Sequence, residues 1–267
     1  MNRKIIRLVA AFMATICLFL SGCAVTDAPE KPTKKETLVI GSDIYSPYFY
    51  LDDNGDFAGI DVEIAREACR RLGVTPEFRQ ISWQNKDAYL NGGVVDCLWG
   101  SFSMNGREAD YAWAGPYMYS RQVVVVKASS DIRTLKDLNG KYIAVQNASK
   151  TDELFSNDAV NGVSVKKVYS FATMSNALAA LKKEYVDACA GHETACLDYI
   201  NTISGEYRIL DEALLISELG VAFYRERGTK RADQLTSVLT EMKNDGTIRR
   251  ILERYELDVD FALRGNT

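Results

Sequence analysis

Apolar residues recur along the chain with the two spacings that strands and helices produce. A first unit of alternating elements has predicted strands at residues 38–40, 77–81 and 94–99 and predicted helices at residues 62–72 and 86–90. Asp61 is placed to cap the first helix, and Gly73 is placed to end it. The order strand, helix, strand, helix, strand predicts a parallel sheet with right-handed crossovers.

The same order of elements returns in a second unit. Its predicted strands are residues 142–145, 163–168 and 186–190, and its predicted helices start at Ser149 and span residues 173–183. Ser149 followed by Asp152 has the form of a capping box. Two α/β units of similar size predict two lobes that face a cleft.

Two apolar segments connect these units. Four consecutive valines, residues 123–126, predict a buried strand that leads from the first unit into the second, and residues 220–224 follow the second unit. A helical tail from Thr229, which breaks at residues 244–246, is expected to pack on the first lobe. The chain then crosses between the lobes twice, and paired crossovers form a hinge that closes on a ligand.

Composition narrows the functional classes. The 267 residues are 47% hydrophobic and 25% charged, which is typical of a globular chain and excludes a disordered or collagenous one. Lys and Arg total 32 against 36 Asp and Glu, so nothing indicates nucleic-acid binding. The single histidine, His192, excludes a multi-histidine metal site and allows a Ser-His-Asp triad only through itself. We therefore predict no metal and no cofactor.

The six cysteines include no CxxC pair, which argues against a zinc ribbon. Four of them lie in the predicted globular body, at Cys69, Cys97, Cys189 and Cys196. Secretion permits disulfides, but no pairing follows from the spacing, and we expect these four to be buried free thiols.

The N-terminus has the features of a targeting segment. A basic start precedes thirteen uncharged residues, 8–20, whereas a membrane-spanning helix needs about 20. This pattern is typical of a secretory signal peptide, and an uncleaved membrane anchor is the alternative. Residues 20–23 (LSGC) resemble the bacterial lipobox, whose cysteine is acylated. We predict a signal peptide over residues 1–22, and a lipid-anchored Cys23 with a flexible spacer over residues 23–37.

A series of motifs then follows in order over residues 38 to about 256. They include residues 41–48 (GSDIYSPY), 59–65 (GIDVEIA), 114–117 (AGPY), 135–141 (LKDLNGK) and 244–248 (NDGTI). Together they closely resemble the family 3 bacterial solute-binding proteins, which are extracytoplasmic receptors of ABC importers, mostly for polar amino acids.

The resemblance implies an α/β, two-lobed, type II periplasmic-binding-protein-like fold. Each lobe is then a mostly parallel sheet flanked by helices, with two crossover hinge strands. We assign residues 38–122 and 220–267 to lobe 1 and residues 123–219 to lobe 2, with crossovers near residues 121–127 and 216–221.

The resemblance also implies a ligand site. The family usually holds the ligand carboxylate with an arginine, and Arg107 matches it; a guanidinium offers paired donors suited to a carboxylate. The alternative is a solvated loop arginine. Further contacts are implied for Asp43, Tyr45, Trp83, Ser101, Phe102, Ser103 and Ser149. Two of these hydroxyls, on Ser101 and Ser103, stand one place off the family pattern.

The clearest departure from the family is at His192, which stands where an aspartate usually holds the α-ammonium. A histidine is not a fixed anion, and the adjacent Glu193 is a candidate for supplying the charge. The alternative is a structural histidine. These departures leave a modified amino acid, a small peptide or an amine open as the ligand.

We therefore predict a monomeric, lipid-anchored extracytoplasmic receptor that closes on a small amino-acid-like solute and delivers it to an ABC permease. One alternative is an enzyme on the same fold, resembling the cyclic dicarboxylate dehydratases, with His192 and Glu193 as acid and base. The other is a sensory ligand-binding subunit. Sensor ectodomains usually continue into a membrane helix, whereas no second apolar run occurs up to Thr267, so this alternative needs a partner protein.

Overall fold

The structure is a computed structural model that describes residues 36–202, 205–255 and 257–264. The predicted signal peptide, Cys23 and the spacer up to residue 35 lie outside the described residues. Within the described part of the chain, none of the helices combines the length and the apolarity that a membrane crossing requires.

Strands and helices alternate in the described ranges. The strands are β1 Thr37–Ser42, β2 Tyr50–Leu51, β3 Phe57–Ala58, β4 Thr75–Gln80, β5 Cys97–Leu98, β6 Tyr111–Lys127, β7 Tyr142–Gln146, β8 Lys167–Phe171, β9 Ala188–His192, β10 Tyr207–Ile209 and β11 Leu215–Tyr224. The α-helices are α1 Ile60–Leu72, α2 Lys86–Asn91, α3 Lys150–Ser156, α4 Met174–Lys182, α5 Glu193–Thr202, α6 Arg225–Asn244, α7 Thr247–Leu252 and α8 Val259–Ala262. Short 3₁₀ turns are found at Trp83–Asn85, Leu135–Leu138 and Glu253–Tyr255.

Nine of the described strands form one sheet in the order β4-β1-β5-β11-β6-β9-β7-β8, with β10 paired to β6. On one side β1 runs parallel to β4 and β5, and on the other β7 runs parallel to β8 and β9. The antiparallel pair β6 and β11 lies between these two parallel halves. The predicted pair of mostly parallel units joined by two crossover strands is therefore confirmed.

Strand β6 is 17 residues long, which allows it to pair with strands in both halves of the sheet. Its first part pairs with β11, and residues 122–126 pair with β9. The four valines at 123–126 are all buried, as a strand covered on both faces requires. The predicted buried crossover strand is confirmed.

The tail returns to the first half of the sheet. Helix α6 contacts α1 and β6, and its apolar positions Leu235, Val238, Leu239 and Met242 are buried. Gly246 follows with a left-handed φ of 75° before α7 begins. The helical tail, its break and its packing are as predicted.

Two predicted strands are shorter than expected. Only Cys97 and Leu98 of residues 94–99 are in a strand, since the side chain of Asp96 accepts the Val39 N–H at 2.7 Å in place of a ladder bond. Strand β8 starts at Lys167 rather than at residue 163, because Val163 closes a turn instead. The cysteines at positions 69, 97, 189 and 196 are buried free thiols, as expected.

Asp61 does not cap the first helix. The helix begins at Ile60, after Gly59, and Asp61 is only 1% exposed in the first turn. Its carboxylate accepts the backbone N–H of Ser101 at 2.6 Å and the hydroxyl of Tyr117 at 2.7 Å. Burial raises the pKa of Asp61 to about 7. The predicted cap is wrong, whereas the stop at Gly73, with φ 72°, is confirmed.

We expect Asp61→Asn to change the pH dependence of stability. The folded protein keeps this proton up to about pH 7, whereas the unfolded chain releases it near pH 4. The wild type therefore loses stability relative to the variant as the pH rises from about 4 to 7, by about 1.4 kcal/mol per pKa unit. Urea denaturation at pH 4.5, 6 and 8 measures this difference, and parallel profiles for the two proteins would contradict it.

Candidate ligand-binding cleft

A cavity lies between the two halves of the sheet, beyond the C-terminal ends of β1, β5, β7 and β9. Ligands of open α/β sheets bind at these strand ends. The lining residues are Asp43, Tyr45, Trp83, Gly100, Ser101, Phe102, Ser103, Arg107, Gln122, Gln146, Ser149, Lys150, Thr151, Met174, Ala190, Gly191 and His192. Its free volume is about 30 Å³, room for roughly two water molecules.

Nine of the ten residues that the sequence implicated line this one cavity. They come from both halves of the sheet and from positions as far apart as Asp43 and His192. That they contact a ligand stays a prediction. Glu193 is the exception: it pairs with Arg121 at 2.8 Å and lines a different cavity, beside the C-terminal segment. The acid and base pair of the enzyme alternative is therefore not assembled in the cleft.

Further lining residues were missed by the sequence analysis, among them Gln122, Gln146, Lys150 and Met174. For two of them, the sequence contains a pattern that could have predicted a place in the site. Gln122 directly precedes the four valines, and Gln146 ends the strand before Ser149. A buried polar residue at the end of an apolar strand is a candidate for a site because its amide must be hydrogen bonded.

Asp43 and Gln146 join the two walls of the cavity. The Gln146 amide donates to the Asp43 carboxylate at 2.6 Å. Burial raises the pKa of Asp43 to about 6, while the Gln146 hydrogen bond and the nearby charge of Lys86 act in the opposite direction. Asp43 is therefore a buried carboxyl group that changes charge close to neutral pH.

A carboxylate bridges two cations at the edge of the cavity. The Arg107 guanidinium, whose side chain is 11% exposed, contacts Glu153 at 2.8 Å. The other carboxylate oxygen of Glu153 accepts from Lys150 Nζ at 2.6 Å. Since Glu153 belongs to α3 and Arg107 follows β5, this ion pair also crosses between the halves. Arg107 and Lys150 together form a site suited to a carboxylate.

His192 is a buried residue with several polar neighbours. Its Nδ1 lies 3.1 Å from the Ser120 hydroxyl, and the Gln122 amide nitrogen lies 3.0 Å from its Nε2. Its backbone N–H donates to the Tyr45 hydroxyl at 3.3 Å, a third contact between the walls. Burial lowers the pKa of His192 to about 4. The ring is therefore neutral at pH 7 and does not supply the negative charge of the aspartate that it replaces.

Residues 101–103, which follow β5, are fixed in place by hydrogen bonds and ring packing with neighbouring residues. Ser101 has a left-handed φ of 45° and is fixed by the hydrogen bond to Asp61. The Phe102 ring packs against Trp83 and Trp113 with ring centres 5.0 Å apart. The Ser103 hydroxyl donates to the Asn105 amide oxygen at 3.0 Å and lies 3.1 Å from the Ser217 hydroxyl. This segment contributes an apolar wall to the cavity, and one of its hydroxyls is already hydrogen bonded.

Ser149 caps α3, as expected. Its hydroxyl accepts the Asp152 N–H at 3.1 Å, but the Asp152 carboxylate accepts from Ala148 N at 2.8 Å rather than from Ser149 N. Only half of the predicted capping box is present. Across the described ranges, no group of three or more His, Cys, Asp or Glu side chains is placed to hold a metal ion.

Comparison with known proteins agrees with this architecture. The L-cystine-binding protein TcyA of Bacillus subtilis (strain 168) is 30% identical over 226 residues, which cover 83% of this chain and 82% of TcyA. The crystal structure of Tv2483 bound to L-arginine is 30% identical with a TM-score of 0.75, covering 83% and 91% of the two chains. A substrate-binding protein of an ABC uptake transporter from Streptococcus pneumoniae, with bound histidine, is 26% identical with a TM-score of 0.76, covering 84% and 94%.

These similarities confirm the type II fold of periplasmic amino-acid-binding proteins. TcyA is an L-cystine-binding protein, and the Streptococcus pneumoniae protein is a substrate-binding protein of an ABC uptake transporter. The model of the bacterial extracellular solute-binding proteins, family 3, matches residues 38–258, which is most of the chain. This protein therefore belongs to the bacterial extracellular solute-binding proteins, family 3.

Proposed function

We propose that this protein is an extracytoplasmic receptor that binds an amino acid or a derivative in the cleft and delivers it to an ABC importer. The observation that carries the proposal is the convergence of residues from both halves of the sheet on one cavity. The relatives support the ligand class, because TcyA is an L-cystine-binding protein and the two matched structures hold L-arginine and histidine.

The charges of the cleft suit a zwitterion. Arg107 and Lys150 would hold the ligand carboxylate, and Asp43 would face the ammonium. Trp83 and Phe102 would cover the apolar part of the ligand. A charge-assisted hydrogen bond contributes about 1.5–3 kcal/mol, a sizeable share of the roughly 8 kcal/mol that corresponds to micromolar affinity.

Binding would require the lobes to move apart and close again. An amino acid does not fit in about 30 Å³, so contacts such as Asp43 to Gln146 and Arg107 to Glu153 must open first. We propose residues 38–122 and 220–267 as one lobe and residues 123–219 as the other. The crossovers near residues 121–127 and 216–221 would bend, and closure around the ligand would present it to the permease.

We also propose that the receptor is a monomer tethered to the membrane through Cys23. The support is the apolar segment, the lipobox-like LSGC and the spacer. In cells given an alkyne-tagged fatty acid, Cys23→Ser is expected to lose the label and to leave the membrane fraction, because each buried lipid methylene contributes about 0.8 kcal/mol to membrane binding. Unchanged label and location in the variant would contradict the anchor.

We expect Arg107→Ala to weaken amino-acid binding by about ten- to hundredfold, since it removes a charge-assisted contact to the carboxylate. Isothermal titration calorimetry measures the change. Arg249→Ala is the matched control, because Arg249 pairs with Asp260 and neither residue lines the cavity. Equal affinities of Arg107→Ala and wild type would show that the guanidinium does not bind the ligand.

We expect the affinity for the ligand to rise with pH through about 6. Asp43 becomes ionised in this range, and its carboxylate then attracts the ammonium; below the pKa each pH unit costs up to about tenfold. Asp43→Asn should abolish the slope between pH 5 and 7. His192→Gln should retain it, because His192 is neutral throughout this range. A slope that survives in Asp43→Asn, or disappears in His192→Gln, would assign the titration to another group.

A further inference from the structure

Lys86 places a buried ammonium beside the cavity wall. It is the first residue of α2 and is only 5% exposed. Its Nζ lies 5.5 Å from the ring centre of Trp83 and 5.7 Å from that of Phe102, and both rings line the cavity. In the sequence Lys86 indicates only the start of a short helix, and its surroundings become visible in the tertiary structure alone.

The ammonium of Lys86 has weak partners for its three donors. It donates to the carbonyl oxygen of Ala148 at 3.4 Å, across the cleft. Its carboxylate contact is Asp87 at 3.9 Å, whose side chain is 55% exposed. Burial lowers the pKa of Lys86. Asp43 and Glu153 also favour its charged form, but the carboxylate contact of Lys86 stays long, at 3.9 Å. Burying a cation without a close ion pair is costly, so a closer anionic partner would stabilise it.

The other two cations at this edge of the cavity differ from Lys86. Arg107 and Lys150 contact Glu153 at 2.8 Å and 2.6 Å. The Arg107 guanidinium lies 5.3 Å from the Phe102 ring centre, and Lys86 Nζ lies 5.7 Å from the same point. The two cations are therefore at most about 11 Å apart. A small molecule with two carboxylates can reach both.

We propose that Lys86 binds a second carboxylate of the ligand, so that the cleft selects amino acids that carry two carboxylates. The inference rests on the proposed function, in which Arg107 holds the first carboxylate and Asp43 the ammonium. Two kinds of amino acid have this chemistry. One carries an acidic side chain, and the other is a disulfide-linked amino acid with two α-carboxylates, as in L-cystine.

Calorimetry of the full chain with four ligands tests the proposal. L-glutamate and L-cystine are the two dicarboxylates, L-glutamine is the neutral isostere of glutamate, and L-arginine is the cationic comparison. We expect the wild type to bind one of the dicarboxylates at least about tenfold more tightly than L-glutamine. Which dicarboxylate it prefers reports the separation of the two cationic sites.

The test variant is Lys86→Met, which removes the charge and keeps the aliphatic stem against Trp83. It should lose about ten- to hundredfold in affinity for the preferred dicarboxylate, with affinity for L-glutamine nearly unchanged. Lys243→Met is the matched control: Lys243 is half-buried and donates to the Pro116 carbonyl oxygen, and Pro116, unlike the Trp83 and Phe102 that Lys86 contacts, does not line the cavity. The control should bind all four ligands as the wild type does.

Thermal unfolding without ligand separates recognition from a structural role. If Lys86 is kept for the ligand, Lys86→Met should unfold at the same or a higher temperature, because a weakly paired buried charge is removed. A lower unfolding temperature with unchanged affinity would identify a structural lysine and overturn the proposal.

The proposal is also overturned if L-glutamine binds as tightly as both dicarboxylates, or if Lys86→Met weakens all ligands equally. In those cases the protein still binds amino acids, and the proposed function stands. If the wild type binds neither dicarboxylate, the inference fails, while binding of L-glutamine or L-arginine alone would leave the proposed function standing.

Discussion

The antiparallel pairing of β6 with β11 is the constraint on which the rest of the structure depends. The two strands pair from Tyr111 with Tyr224 to Gln122 with Leu215. Strand β5 joins the outer edge of β11, and β9 joins β6, so each parallel half of the sheet is hydrogen bonded to this central pair. The positions of the cleft walls are therefore set by two strands that run from one half into the other.

The cleft is closed by contacts between the chain's own polar groups. Asp43 is bonded to Gln146, Arg107 to Glu153, and the Tyr45 hydroxyl to the backbone of His192. Under the proposed function, a ligand would replace these contacts with its own, so its affinity would be the difference between two sets of similar interactions and not their sum. Such a cleft distinguishes ligands by how well their charges replace the internal ones. Of the three cations described at this edge, Lys86 has the longest carboxylate contact and would have the greatest scope to favour one ligand over another.

Much of the site could be predicted from the sequence, but by two different routes. Apolar periodicity predicted the order of strands and helices, while the cavity residues were identified by the family resemblance. The spacing of residues gave a wrong prediction where a side chain contacts a residue that is distant in the chain. Asp61 looks like a cap because it stands next to a helix start, yet its carboxylate holds Ser101, 40 residues away. Glu193 is adjacent to His192 in the chain but turns to Arg121, because the strand ends and the helix begins between them.

The sequence by itself determined the local elements, the buried valine strand and the type II architecture, since these depend on apolar periodicity and on motifs in a fixed order. Only the tertiary structure decided the electrostatics of the cleft. Charge and pKa depend on burial and on partners distant in the chain, as the neutral ring of His192 and the raised pKa of Asp43 show. The same holds for Lys86, an unremarkable lysine in the sequence that folding places in a buried position beside two packed aromatic rings.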